Sequence, residues 1–473
     1  MTSTRPRTRA PVGASLGAAC LLALGAGAAA QTTSPLPWAV VDSAAGLALT
    51  TTQPSAPSTT LRTRGGELRL NAAADLTAPA VYRAGGLSVE VTSLPVFDLR
   101  FDGPLGLDPE VHGALTYLEP GGRVERFEVG AELLDARSVG HAKPSLDVEL
   151  WADPSGGEHV DGSFAGLRFD DDWVLDALHE DPTMLRGHLA HNLWVATHRP
   201  YFAADDPEAR AGARSRLVEV VIDGTYRGVY ALRERVDRMQ LGVRKPTGDS
   251  LLGTLVRVRD TARFVMLDTL PEREITAGLY DWKYPKRADA WAGLRELHAA
   301  LARADTADLP GVALRRLLRE NLVDHFLFAN LVALDGGGAR DLLVARYSLG
   351  EPYFVGPWEP SFAFGLDGEG RERPPADTVY LPPLFARLLD DEAFLAEARA
   401  RYLELRRGVW SEQRLRARYR EGVEALRASG AYRRESAARG RRAGAGAAEE
   451  ARGRFDTFVR ARLDALDVYL SGG

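Results

Sequence analysis

The chain has 473 residues, 45% of them hydrophobic and 26% charged, enough to bury a sizeable core in one large domain with an appendage or in two domains. Its formal net charge is −6 and no basic run interrupts it, which argues against nucleic acid as a partner. The single cysteine, Cys20, excludes an internal disulfide.

The N-terminus reads as an export signal over residues 1–30. Arg5, Arg7 and Arg9 precede an uncharged Ala/Leu/Gly-rich run, and Ala28-Ala29-Ala30 before Gln31 offers the small-residue site of a signal peptidase. A single membrane anchor is the alternative, since the run approaches spanning length. Cleavage would take the net charge to −9 and remove Cys20, leaving no thiol nucleophile and no cysteine-ligated zinc. Lipid attachment at Cys20 fits poorly, because Gly17 stands where a large aliphatic residue is wanted. No later segment reaches membrane length, so a secreted, periplasmic or envelope location with no membrane contact after cleavage is expected.

Residues 31–92 read as a low-complexity leader with short strands; the Ser/Thr/Pro tract Thr50–Ser58 is not expected to build a core. Strand patterns begin at Leu94–Phe101 and continue at Phe127–Leu134 and Leu146–Leu150. Asp181 as N-cap and Pro182 at the first turn predict a helix with Met184, Leu185, Leu189, Leu193 and Trp194 on one face. A hairpin follows: Leu217–Ile222, an Asp223-Gly224 turn, and Tyr226–Leu232, with Tyr226 and Tyr230 on one face. Residues 311–333 carry leucines and Phe326 at helical spacing and read as one long buried helix. A second hairpin pairs Leu342–Tyr347 with Tyr353–Val355. From Leu384 onward the chain reads as helical, with Arg439–Gly453 as a solvated connection. A β-rich N-terminal part and a helical C-terminal part make an α+β protein.

No phosphate loop, nucleophile elbow or H-E-x-x-H motif is present in the sequence. His188 and His191, three apart, suit a shared metal or a solvated helix face; no third ligand accompanies them. More informative is Asn330–Asp341, which leaves a buried helix and enters a hairpin beyond which lies Pro357–Gly365. Phosphoryl transfer uses this ordering: one acid to orient the acceptor hydroxyl, then a polar residue and a further acid to hold the metal. Acid-glycine turns are common between elements, so a purely structural reading of these residues stays open.

Gly224-Thr225-Tyr226-Arg227-Gly228-Val229-Tyr230, followed by Glu234, resembles the hairpin signature of the spore-coat protein H (CotH) kinase family. Trp173-Val174-Leu175 with Asp181 and Leu185-Arg186 is similar to the family's W-x-L … D-x-x-x-L-R-N block, with Gly187 in place of Asn. Leu94-Pro95-Val96 resembles its opening strand; Leu384–Leu405, and Phe455–Leu470 with Arg460, resemble its closing helices. The likeness covers residues 93–470. It implies a two-lobed, atypical protein-kinase-like fold using ATP and Mg or Mn.

On the matching positions, the resemblance implies Asp335 as the catalytic acid. Asp341 takes the place of the family's Asn as a metal ligand. Trp358–Gly365 matches W-D-x-D-x-x-F-G, with Glu359 and Ser361 where the family has Asp. Lys143, in Ala142-Lys143-Pro144-Ser145, would meet phosphate, and Glu234 would serve the nucleotide. The blander readings are a solvated strand-end lysine for Lys143, an exposed partner of an arginine for Glu234, and core packing for Trp358 and Phe364. Two functions follow as expectations. One is an exported kinase acting on Ser or Thr of envelope or secreted proteins; the other is a catalytically degenerate binding or scaffolding protein on the same fold.

Overall fold

The computed structural model describes residues 36–55, 57–245, 253–259, 279–286, 291–334, 342–367, 369–375, 378–439 and 445–471. The export-signal segment lies outside the described residues.

Seven strands close into a barrel: β7 (Val96–Phe101), β8 (Val111–Leu118), β9 (Val124–Leu133), β10 (Leu146–Trp151), β11 (Asp172–Asp176), β12 (Ser215–Ile222) and β13 (Thr225–Glu234). Their order around the barrel is β10-β11-β13-β12-β7-β8-β9, antiparallel throughout except for β12 beside β7. A barrel this small is filled by side chains. Phe164, fully buried, forms the plug: its ring lies 4.8–5.1 Å from those of Tyr117, Phe97 and Trp173.

The predicted signature hairpin is β12–β13, with a bulge. Val220 pairs with Gly228 but Val221 pairs with Tyr226, so Arg227 is the extra residue. That insertion reverses the alternation. Tyr230 enters the barrel core, whereas Tyr226 faces out onto Val96, Leu118 and Val221. The two tyrosines therefore do not share a face.

The expected leader is a folded layer. β1 (Ala39–Asp42), β2 (Leu47–Thr51), β5 (Ala80–Ala84) and β6 (Leu87–Thr92) form a sheet in the order β1-β2-β6-β5, and β3 (Ser58–Thr63) pairs with β4 (Gly66–Ala74). Thr50 and Thr51 of the Ser/Thr/Pro tract are buried in β2, where parallel pairing to β6 satisfies their backbone. This layer docks on the signature hairpin: Trp38, Val40 and Leu49 pack with Val221 and Tyr226, and Asp42 accepts from the Tyr226 amide at 2.9 Å.

A second sheet, β15-β14-β16-β17, combines β14 (Thr254–Val258), β15 (Tyr280–Tyr284), β16 (Leu342–Arg346) and β17 (Tyr353–Pro357). Among the described residues the helices are α1 (Arg186–Thr197), α2 (Trp291–Arg303), α3 (Leu309–Leu314), α4 (Arg319–Val332), α5 (Pro383–Leu389), α6 (Glu392–Arg407), α7 (Glu412–Ala428), α8 (Ala431–Arg439) and α9 (Ala445–Ser471). Helix α1 starts at Arg186, later than the sequence suggests. Asp181 still captures its first amides, accepting from Leu185 and Arg186 at 2.9 and 2.8 Å. The predicted long helix is split into α3 and α4, because the linker pairs with β17: Tyr353 donates to the Arg316 carbonyl and Leu318 to the Tyr353 carbonyl, both at 2.7 Å. Every residue of α4 from Asn321 to Val332 is buried, as befits a helix at the centre of a core. Helix α9 takes up much of the expected solvated connection.

Candidate functional site

Strand alternation decides where the signature's last charges go. On β13, Tyr230, Leu232 and Glu234 face the barrel interior, while Val229, Ala231 and Arg233 face out toward the helices and the second sheet. Arg233, only 3% exposed, bonds Oε1 of Glu359, and Arg257 of β14 reaches Oε2 at 3.4 Å. Burial pushes the Glu359 carboxyl up, but Arg233 and Arg257 outweigh it and hold the group below the usual glutamate range.

Other cations gather at this seam. A 3-10 turn at Ala136–Ser138, capped by Asp135, places the Arg137 guanidinium 5.0 Å over the Phe362 ring. Arg257 and Lys283 lie 5.7 and 5.5 Å over the buried ring of Trp358. Trp358 and Phe364 are core residues, at 8% and 3% exposure. The loop ends with Phe364 and Gly365 both at positive φ, 54° and 81°. Phe364 holds that conformation because its amide donates to the Val332 carbonyl at 2.6 Å and its ring packs on Phe455.

Lys143 is neither solvated nor at this seam. It is 2% exposed and donates to the Val229 carbonyl at 2.6 Å and to Glu435 of α8 at 2.8 Å, with its ammonium over the Tyr230 ring. Glu435 also accepts from the Val229 amide at 2.7 Å. Lys143 and Glu359 thus contact β13 at residues four apart, about 13 Å along the strand.

Glu234 pairs with an arginine but is buried. It takes Arg214 at 2.6 Å, the Arg168 and Arg214 amides, and Gln240 at 2.9 Å, all at the barrel mouth and away from Glu359. Its carboxyl lies below the ordinary range: burial raises it, and the hydrogen bonds from Arg214 outweigh that.

His188 and His191 are not on a solvated face. His188 bonds the Ser215 hydroxyl at 2.7 Å, and burial lowers its pKa to about 4; His191 is 4% exposed and burial lowers it well below the ordinary value. Both are neutral packing residues between α1 and β12.

Asp335 and Asp341 lie outside the described residues. Their described neighbours are tied to the segment that carries Glu359, at Phe364 and Pro357. Val332, three residues before Asp335, carries the bond from Phe364, and Leu342, next to Asp341, pairs with Pro357 in the β16–β17 ladder.

A divalent cation does not fit the described donors as they stand. Mg²⁺ needs near-octahedral oxygen ligands. Both oxygens of Glu359 already face guanidinium groups, and the Ser361 hydroxyl donates to Asp176 at 3.1 Å. Ser361 is also fixed from behind, since a Cβ at Gly187 would sit 3.2 Å from its Cα. Phosphate fits better: Arg257 and Lys283 over Trp358 and Arg137 over Phe362 are all partly exposed.

Sequence reading missed Arg233, Arg257 and Glu435. Arg233 was legible through its alternation with Ala231 and Val229. Arg257 and Glu435 arrive from distant segments with no local pattern. Arg460, noted from the sequence, is an exposed partner of Glu412, whereas the buried arginine of α9 is Arg462, which binds the Asn330 carbonyl at 2.9 Å and steadies the end of α4.

Barrel, second sheet and helices thus define an α+β protein with a charged seam where the signature hairpin meets the loop after β17. Residues 134–466 match the family described as CotH kinase protein, and the chain belongs to that family. No curated protein matches the chain. The matched stretch begins at the end of β9, so Leu94–Val96 and the first nine strands precede it.

Proposed function

We propose that this chain is an exported, kinase-like protein in which phosphoryl transfer is weak or lost, acting as a binding or scaffolding partner of a cell-envelope protein. Family membership supports the kinase-like part. The observation that carries the reading of lost activity is the capture of Glu359 by Arg233 and Arg257, which puts fixed positive charge where the family's acids would hold a metal. On this reading the two-lobed fold binds the phosphates of ATP through Arg137, Arg257 and Lys283 without needing Mg or Mn. A competing reading, a live Ser/Thr kinase, is favoured by family membership and by the retained Asp335.

Calorimetric titration with ATP separates the two. Binding should survive chelation of all metal and weaken about tenfold in Arg257→Gln, as expected for loss of one charged contact. If ATP binds only with Mg²⁺ or Mn²⁺, and label passes to protein in a manner abolished by Asp335→Asn, the chain is an active kinase. Restoring the family acids with Glu359→Asp and Ser361→Asp should confer metal dependence, since a carboxylate at 361 returns a charge to the metal side. Export is tested by intact mass: protein recovered outside the cytoplasm should begin at Gln31, and a retained Met1 in the membrane fraction would overturn that part.

A further inference from the structure

Away from the seam, a half-open cavity of about 360 Å³ lies between the start of α1, the loop after Gly365 and α9. Arg186, 2% exposed, forms its deep end. Its Nη2 bonds Glu372, but Nε and Nη1 are buried with no hydrogen-bond partner among the described residues. A buried cation with two unmatched N–H groups is costly, and such groups mark a place built for an acceptor.

The surroundings say what kind of acceptor. The other oxygen of Glu372 is taken by Arg454 at the cavity mouth, and Arg373, leaning on Asp367, adds a third guanidinium to the lining. Arg186 and Arg454 therefore share the single Glu372 carboxylate, while Arg373 is paired with Asp367. Phe364 and Phe458 supply an apolar wall. Gly453, in the middle of α9, lines the mouth, and a Cβ there would meet nothing within 4 Å. A glycine weakens a helix interior, and here it leaves the mouth open.

We propose that this cavity binds a small phosphate-bearing molecule, its phosphate on Arg186 and Arg454 and its ring or apolar portion against Phe364 and Phe458. A phosphate dianion offers three oxygens to the unmatched Arg186 N–H groups and Arg454, where a carboxylate offers two. The proposal is independent of nucleotide binding at the seam.

The test titrates the full mature chain, free of metal and at low salt, with inorganic phosphate, phenyl phosphate and benzoate. Phenyl phosphate should bind saturably, at least about tenfold tighter than inorganic phosphate because its ring buries apolar surface, and tighter than benzoate. Gly453→Leu places a helix-favouring side chain in the mouth and should weaken phenyl phosphate at least about tenfold while the urea midpoint stays the same or rises. Arg186→Gln should do the same to binding; should that variant fail to fold, Gly453→Leu alone decides. Equal affinity in Gly453→Leu and wild type, equal binding of benzoate and phenyl phosphate, or no binding to wild type each overturns the proposal.

Discussion

Arg233→Met should destabilise the protein by about 3 kcal/mol, the scale on which breaking a buried ion pair strands the remaining charge. The stranded group is Glu359, whose side chain is 13% exposed and keeps the more distant Arg257 and the longer-range attraction of Arg137. Replacing both members, Arg233→Met with Glu359→Met, should recover all but about 1 kcal/mol, because well-packed apolar residues substitute for such pairs at little cost. Urea unfolding monitored at constant m-value gives the comparison. A loss under about 1 kcal/mol in the single variant, or no recovery in the double, would mean that Glu359 is solvated and available, and the argument against a metal there would fall.

A loss of about 3 kcal/mol or more is expected from Gly228→Ala, the second glycine of the hairpin signature. Two independent effects add. Gly228 sits at φ 102°, a conformation that side-chain-bearing residues adopt only with strain of about 1–3 kcal/mol. A Cβ there would also fall 1.8 Å from Oε2 of Glu435, a fully buried carboxylate. Displacing Glu435 would uncouple it from Lys143 and from the Val229 amide. Relieving the clash with Glu435→Ala should not rescue the variant, because the Lys143 ammonium is then buried without its counter-charge. Wild-type stability in Gly228→Ala would show that α8 does not press on the hairpin as described. Gly224, by contrast, serves the turn itself at φ 76°. The two glycines of one signature therefore have different causes, a tight turn and a carboxylate approaching from more than 200 residues away in sequence.

This contrast marks the boundary of what the sequence conveys. The β12–β13 and β16–β17 hairpins were legible because turn residues and alternation are local. The order of elements, and with it the α+β class, was legible for the same reason. The reversal of Tyr226 and Tyr230 was not, since a bulge at Arg227 leaves no compositional trace. Nor was the fold of residues 39–92. Its strands are stabilised by docking on Val221 and Tyr226, and by the buried Arg434 of α8, which joins Glu90 of β6 to Glu219 of β12 at 2.7 and 2.6 Å. At the seam, the resemblance led to Glu359 and Trp358. What neutralises Glu359 depends on Arg257, from a strand roughly a hundred residues earlier. Lys143 drew attention through the resemblance, as a residue to meet phosphate, but only the packing of α8 on β13 determines that it is buried.

The barrel also bears on what may be called a unit of folding. The stretch that matches the family starts at residue 134, yet β7, β8 and β9, which precede it, supply three of the seven staves. A fragment cut at the limit of the match would keep β10-β11-β13-β12 as an open ribbon, with both outer strands stripped of their neighbours. Phe97, Tyr117 and Phe127, which pack on Phe164, would go with the lost strands. Bare edges and an uncovered apolar lining are the ingredients of intermolecular strand pairing. The inheritance recognisable between relatives and the smallest piece able to stand alone are thus different lengths of this polypeptide, and the longer of the two reaches back through the layer that begins at Trp38.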